Sequence, residues 1–175
     1  ELDRLGVPRR VQAAFDPSPL FPAETRPSYT PHFTTGAHAS LVLVDTETGQ
    51  VKVTRHAAAH DVGRAINPPD AAGQIEGAVV MGLGSALYEE YVPGRTTGFT
   101  DYILPLVDAM PEVEAILVEV PGFHGPLGAK GLGETAMLPS TPAIINAVSR
   151  AIGARLRTLP ATPERVLRAV RGGTD

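Results

Sequence analysis

The sequence predicts an α+β domain: a β-hairpin, a buried glycine-rich helix, a further strand, a glycine-rich loop and C-terminal helices, in that order. β-branched residues alternate with polar ones around residues 41–58, as they do in half-buried strands. Farther along the chain, apolar residues recur at intervals of three and four, the spacing of an amphipathic helix. A hydrophobic content of 43% in 175 residues is enough to build a sizeable core.

Composition excludes several classes of protein. The 15 Lys and Arg residues against 19 Asp and Glu give a net charge of −4, which provides no basic footprint for nucleic acid or anionic membrane. No apolar run approaches the roughly 20 residues that span a bilayer, and no signal peptide is visible. Cysteine is absent, which excludes disulfides and iron–sulfur ligation within this chain. This is compatible with the cytoplasmic location that we predict and does not exclude a periplasmic one.

Residues 1–31 are predicted to form an extended arm, and residues 32–175 the folded domain. The arm contains six prolines, each of which fixes φ and removes a backbone donor: 8, 17, 19, 22, 27 and 31. Such an arm lies either on this domain or on a partner, and a free chain end is the alternative. The first residue is Glu1 rather than Met, which indicates a processed product or a fragment.

The predicted hairpin has strands at 41–45 and 50–58, joined by the turn TETG. The segment 70–91 is apolar nearly all round, which predicts a buried helix with Asp70 as its N-cap. Four glycines lie in this helix, at 73, 77, 82 and 84, and each costs up to about 1 kcal/mol relative to alanine. We expect the close approach of another backbone or a ligand to compensate for them.

The remaining elements follow from β-branched runs and Thr-Pro pairs. We predict a turn with a short strand at 92–105, a strand at 113–121 and the glycine-rich loop at 122–134. Two helices follow, at 140–156 and 162–170. Thr141 is the predicted N-cap of the first of these helices and Pro142 its first helical residue. The same Thr-Pro opening recurs at Thr162.

The loop GAKGLGETA raises the main chemical question, because it ends in a single carboxylate, Glu134. The pattern fails the phosphate-loop signature, since Lys130 follows Ala129 and precedes Gly131. A plain surface loop between a strand and a helix is one reading. The other is that the glycines bring backbone N–H groups close to a ligand and that Glu134 serves as a general acid or base.

Other polar residues give weaker signals. His56 and His60 in HAAAH have the i, i+4 spacing of a zinc helix, but alanine replaces the glutamate of that motif and the segment is predicted as a strand running into a loop. His32, His38 and His124 form no local cluster in the sequence. Two further polar residues have structural alternatives to chemistry: Gln74 is either a solvent-facing first-turn residue or a hydrogen-bond partner of a buried ligand, and Asp101 orders its loop.

Four motifs together resemble one known family: HDVGRAINP (60–68), GQIEGAVVMGLGSALYEE (73–90), DYILP (101–105) and GAKGLGE (128–134). In this order they are similar to the last part of the large subunit of molybdenum hydroxylases. This is the xanthine dehydrogenase and aldehyde oxidase family, which includes bacterial carbon monoxide dehydrogenase. The resemblance runs from about residue 29 to about residue 170 and singles out no member of the family.

The resemblance implies that the chain helps to bind a molybdenum–pterin cofactor, in bacteria usually the cytosine dinucleotide form. It implies that Glu134 is the general base, which deprotonates the water or hydroxide that attacks an aldehyde or an N-heterocycle. Electrons would leave through [2Fe–2S] clusters and FAD on other subunits or domains. The implied cofactor-binding and loop-shaping residues are Gln74, Lys130, Gly131, Leu132 and Gly133, and no direct metal ligand is expected from this chain.

Large subunits of this family are several times longer, and their upstream half carries further cofactor loops and much of the substrate pocket. We therefore expect this chain to share the cofactor with a missing N-terminal segment and to be inactive by itself. Its expected partners are that segment, an iron–sulfur subunit, an FAD subunit and a small-molecule substrate. Two alternatives stay open: a non-catalytic binding or assembly module, and an independent phosphate-binding domain that uses the glycine loop.

Overall fold

The computed structural model describes residues 33–123 and 125–173, together with the isolated Gly6 and Gln12. The predicted arm at 1–31, apart from those two positions, and the side chains of His32 and His124 lie outside the described residues. The described elements, in chain order, are β1 (Gly36–Val44), β2 (Val51–Asp61), α1 (Pro68–Leu87), β3 (Glu112–Val118), α2 (Met137–Ile152) and α3 (Pro163–Val170). Short 3₁₀ turns lie at Val107–Ala109 and Pro126–Gly128.

The strands form one three-stranded sheet in the order β1–β2–β3, which confirms the α+β class. β1 and β2 are the predicted hairpin and pair antiparallel, whereas β3 pairs parallel to β2. Parallel strands need a crossover connection, and α1 supplies it. Helices α1 and α2 pack against each other and against the sheet.

The core has two parts on the helical face of the sheet. The larger part joins α1, α2 and α3, with Leu83, Ile144 and Val166 almost fully buried. The smaller part lies under the first half of α1, where Ile75 and Val79 pack against Ala58 and Ala136. Residues on the other face of the sheet, such as Leu41 and Ile116, are exposed. No helix in the described part of the chain is both long and apolar enough to cross a membrane.

The predicted N-cap of α1 is wrong. The helix begins at Pro68 with Asn67 as N-cap, and Asp70 lies in the first turn, where it accepts a 2.5 Å hydrogen bond from Asn67 Nδ2. Two prolines open the helix because its first N–H groups have no intrahelical partner to lose. The helix also ends four residues earlier than predicted, at Leu87, where the N–H groups of Tyr88 and Glu89 both donate to the carbonyl of Gly84.

The predicted N-cap of α2 is wrong as well. The turn after the glycine loop continues directly into the helix, which begins at Met137, so Pro142 lies inside it. The Thr141 hydroxyl does not cap α2 but donates to the carbonyl of Gly82 in α1. In contrast, Thr162 caps α3 as predicted, because its side chain accepts from the N–H of Arg165.

The short strand predicted within 92–105 is absent, and turns and bends occupy this segment. The Asp101 carboxylate accepts from both the backbone N–H and the hydroxyl of Thr97, at 3.3 and 2.7 Å. Such local side-chain to backbone bonds compete with strand pairing. Asp101 therefore orders its loop, as the sequence predicted.

Candidate functional site

The glycine-rich loop between β3 and α2 is attached to the segment that follows β2. Lys130 N–H donates to the carbonyl of Val62, and the N–H of Arg64 donates to the carbonyl of Gly128, both at 3.0 Å. Gly63 sits between these bonds with φ of 67°, and a Cβ there would lie 2.3 Å from the Gly128 oxygen. Only glycine permits this approach, which places the loop against the end of β2.

A nearly buried ion pair strengthens the same attachment. Lys130 Nζ lies 2.5 Å from Asp61 Oδ2, and both side chains are 11% exposed. Asp61 also accepts from the N–H groups of Gly63 and Val120, at 3.0 and 3.4 Å. Burial alone would raise the pKa of Asp61, but these hydrogen bonds and the Lys130 charge hold it below its usual value. Lys130 thus pairs with Asp61 rather than with Glu134.

This pairing bears on the phosphate-binding alternative. A phosphate site in a glycine loop binds its anion through backbone N–H groups, and a nearby cation strengthens it. Lys130 is the single Lys or Arg in the loop sequence. Asp61, which sequence reasoning did not single out, neutralises that cation. The loop therefore has the glycines of a phosphate site but not a cation that is available to a ligand.

Gln74 ties the far end of the loop to α1. Its Nε2 donates to the carbonyl of Gly133 at 2.8 Å, across 59 positions of sequence. Both residues are exposed, so Gln74 is a solvent-facing residue near the start of α1 that also holds the loop. Leu132, one residue earlier, packs on the smaller core part. The loop is thereby held at both Leu132 and Gly133.

Glu134 lies in the turn that leads into α2, directly after these anchors. Its side chain is exposed, and its carbonyl accepts from the N–H of Met137 at 3.1 Å. Among the described residues, no cation forms an ion pair with its carboxylate. An exposed carboxylate thus stands on a backbone that is held at several points.

The glycines of α1 have different surroundings. A Cβ on Gly82 would lie 2.2 Å from the Cβ of Ser140, so this glycine allows α1 and α2 to approach, as predicted. A Cβ on Gly73, Gly77 or Gly133 would meet nothing within 4 Å. The first two are exposed on α1 beside Gln74. An open surface with little side-chain bulk therefore adjoins Glu134.

Three histidines gather next to this surface, although the sequence showed no such cluster. His38 Nε2 lies 2.7 Å from His60 Nε2, and His38 Nδ1 lies 2.9 Å from His56 Nε2. The hairpin register explains this, because His38 pairs with Ala58, midway between the other two. The hydroxyls of Ser40 and Ser140 contact the same group, at 2.8 Å from His56 and 3.1 Å from His38.

The histidine cluster is uncharged at neutral pH. Burial, followed by repulsion from His56 and His60, lowers the pKa of His38 to about 4, and burial lowers the pKa of the other two as well. His60 Nδ1 is buried without a hydrogen-bond partner among the described residues. Within 33–123 and 125–173, no group of three His, Asp or Glu side chains has the arrangement needed to hold a metal ion. His56 and His60 lie in strand β2 and not on a helix.

A cleft of about 340 Å³ separates this cluster from the Glu134 turn. Gly36 and His60 line one side, and Thr135 and Leu138 line the other. Thr135, which lines the cleft, directly follows Glu134 in the sequence, and no charged side chain lines the cleft.

Comparison with known proteins gives a consistent result. Residues 6–111 match the family described as a molybdopterin cofactor-binding domain, and the glycine loop follows that segment. The chain is 40% identical over 153 residues to the large subunit of nicotine 6-hydroxylase from Paenarthrobacter nicotinovorans, covering 83% of this chain and 19% of that protein. It is 36% identical over 131 residues to the xanthine dehydrogenase molybdenum-binding subunit of Escherichia coli O157:H7, covering 71% of this chain and 17% of that protein.

The fold is similar to that of solved structures as well. Aldehyde oxidoreductase from Desulfovibrio gigas superposes with a TM-score of 0.76 at 34% identity, over 79% of this chain and 15% of that chain. This chain therefore spans about a fifth or less of the length of each relative named above.

Proposed function

The chain belongs to the family of molybdopterin cofactor-binding domains found in the large subunits of molybdenum hydroxylases; on that premise, we propose that it supplies the catalytic base, Glu134, of such an enzyme. The reaction is the oxidative hydroxylation of an aldehyde or an N-heterocycle, with water as the source of oxygen. The observation that carries the proposal is the exposed Glu134 carboxylate on a loop anchored at Asp61 and Gln74. A base acts only when it is held within reach of the proton it removes.

The described residues fit a pterin cofactor. Gly73, Gly77 and Gly133 leave open space where side chains would otherwise project, so a flat ligand can approach the backbone closely. Gln74 uses its amide N–H on the loop and keeps its Oε1 as an acceptor for a ligand. When bound, the molybdenum–pterin group supplies the two-electron redox chemistry that no side chain of this chain provides.

The loop residues have separate roles in this proposal. Gly131 and Gly133 present their backbone to the cofactor, and Gln74 contacts it while holding the carbonyl of Gly133. Lys130 and Leu132 keep the backbone of the loop in place: Lys130 forms the ion pair with Asp61, and Leu132 packs on the smaller core part. Glu134 accepts the proton of the attacking water, and its carboxylate is free of a competing ion pair among the described residues.

The remaining parts of the enzyme lie outside this chain in the proposal. The cofactor, in its cytosine dinucleotide form, is shared with the upstream segment of the large subunit, and [2Fe–2S] clusters and FAD on other subunits carry the electrons. The complex works in the cytoplasm, and the isolated chain is inactive. Names of the relatives support a substrate that is an N-heterocycle or an aldehyde, since nicotine 6-hydroxylase, xanthine dehydrogenase and aldehyde oxidoreductase are among them.

Glu134→Gln in the assembled enzyme tests the proposal. This change keeps the size of the side chain and removes its basicity, so we expect turnover to be lost while molybdenum and pterin contents stay near those of the parent enzyme. Glu114→Gln is the matched control, because Glu114 is also exposed but lies on the outer face of β3. Normal turnover in the Glu134 variant would exclude the base role. A parent complex that holds no molybdenum would favour the assembly-module alternative instead.

A further inference from the structure

A second polar site lies at the other end of α2. The last turns of this helix and the segment after it enclose a groove of about 630 Å³, which we call the arginine groove. Its lining includes three arginines and two neutral hydrogen-bonding side chains: Arg150, Arg155, Arg157, Asn146 and Ser149. No acidic residue contributes to the lining.

The backbone of the arginine groove is held in place. Gly153 ends α2 in the left-handed conformation, with φ of 68°, and reverses the chain. The N–H of Leu156 then donates to the Ser149 hydroxyl at 3.2 Å, and the Leu156 side chain is buried in the larger core part. Because Leu156 points inward, its exposed neighbours Arg155 and Arg157 lie on the opposite side of the segment.

The charge of this groove runs against that of the whole chain. The sequence carries a net charge of −4, yet residues 146–157 contain three arginines and no acidic residue. One cation near the C-terminus of α2 complements the helix dipole, and Arg150 in the last turn fulfils that role. No described residue forms an ion pair with Arg150 or Arg155. The groove thus contains more positive charge than the helix end requires.

From this arrangement we propose that the arginine groove binds a phosphate-bearing small molecule. Guanidinium groups bind phosphate oxygens in pairs, and Ser149 and Asn146 add neutral donors between them. The volume lies within the range of about 300–1,000 Å³ that is usual for small-ligand pockets. A protein partner fits less well, because hot spots of protein interfaces centre on buried aromatic or large apolar anchors and this groove exposes none.

The arginine groove is separate from the proposed catalytic loop. Glu134 precedes the first residue of α2, whereas the groove begins nine residues into the helix and continues past its end. At about 1.5 Å per residue the two sites are roughly 14–24 Å apart along the helix axis. The arginine groove is therefore a second site, and its binding of inorganic phosphate does not depend on the role of Glu134.

Titration of the isotopically labelled 175-residue chain with inorganic phosphate at constant ionic strength tests the proposal. We expect saturable NMR shifts confined to residues 146–157, with a dissociation constant of about 1 mM or below. Arg150→Gln and Arg155→Gln should each weaken binding about tenfold, the loss of one charge-assisted hydrogen bond. Arg168→Gln is the control: it removes the same charge from an exposed position on α3 outside the groove and should leave binding unchanged.

Three results would overturn the proposal. The first is a linear, unsaturated response to phosphate, and the second is an equal loss of binding in the Arg155 and Arg168 variants. The third is tighter binding of an acidic peptide, such as octaglutamate, than of phosphate at the same ionic strength, which would assign the groove to a protein partner. Arg155 is exposed, so thermal unfolding of the Arg155→Gln variant should match that of the parent chain. Arg150→Gln should unfold at a slightly lower temperature, because Arg150 complements the dipole at the C-terminus of α2.

Discussion

Loss of the ion pair between Asp61 and Lys130 should destabilise the domain measurably. Exposed ion pairs contribute about 0–1 kcal/mol, and removal of one partner from a fully buried pair costs about 3–5 kcal/mol. Both side chains are only 11% exposed, so this pair is closer to the fully buried case than to the exposed one. Asp61 also accepts two further hydrogen bonds. We therefore expect a coupling energy of about 2–3 kcal/mol, a large fraction of the stability of a small domain.

A double-mutant cycle measures this coupling energy. Asp61→Asn and Lys130→Met keep the size of each side chain, and urea unfolding of the parent, both single variants and the double variant gives the coupling. Arg55 and Glu112 supply the matched control, because they form a 3.5 Å pair at 61% and 73% exposure. Their cycle, with Gln at both positions, should give about 0.5 kcal/mol or less. Equal coupling in the two cycles would refute the reasoning from burial.

The pH dependence of the same cycle provides a second check. The pKa of Asp61 is below its usual value in the folded chain, so its contribution is complete above the unfolded-state pKa of about 3.9. The contribution is lost as the pH falls through the lower, folded-state pKa. We therefore expect full coupling at pH 7 and a decline only in strong acid. A coupling that vanished already near pH 6 would show that Asp61 is not the titrating partner.

Three further predictions concern the surroundings of the loop. Because burial and the neighbouring His56 and His60 lower the pKa of His38 to about 4, acidification to pH 5 should cost on the order of 2 kcal/mol of unfolding free energy through this residue. His38→Gln should make the pH profile of urea midpoints less steep, and the lowered pKa values of His56 and His60 should account for the dependence that remains. Gly82→Ala should destabilise by about 1–3 kcal/mol through its clash with Ser140, whereas Gly77→Ala should stabilise by up to about 1 kcal/mol, as thermal unfolding of both can show. Gln74→Ala should cost about 0.5–1.5 kcal/mol and raise amide exchange in the glycine loop; unchanged exchange would mean that this bond does not hold the loop.

Local patterns in the sequence were sufficient for most elements. Alternation of Val51 and Val53 with polar residues predicted the hairpin, and the Thr162–Pro163 pair predicted the start of α3. The same Thr-Pro signal failed at Thr141, because the turn after the glycine loop had already begun α2 upstream. A cap signal depends on one residue and its near neighbours, so it cannot show that a helix has already begun upstream of them.

The sequence by itself singled out Glu134, Lys130 and Gln74, and its four motifs determined the family. Only the tertiary structure decided what these residues contact: Asp61 lies 69 positions from Lys130, and Gly133 lies 59 positions from Gln74. The histidine cluster likewise depends on the pairing of β1 with β2, since a shift of one residue would move His38 to the other face of the sheet. Residue types and spacing show which groups a chain has available, whereas strand register and helix packing decide which of them meet.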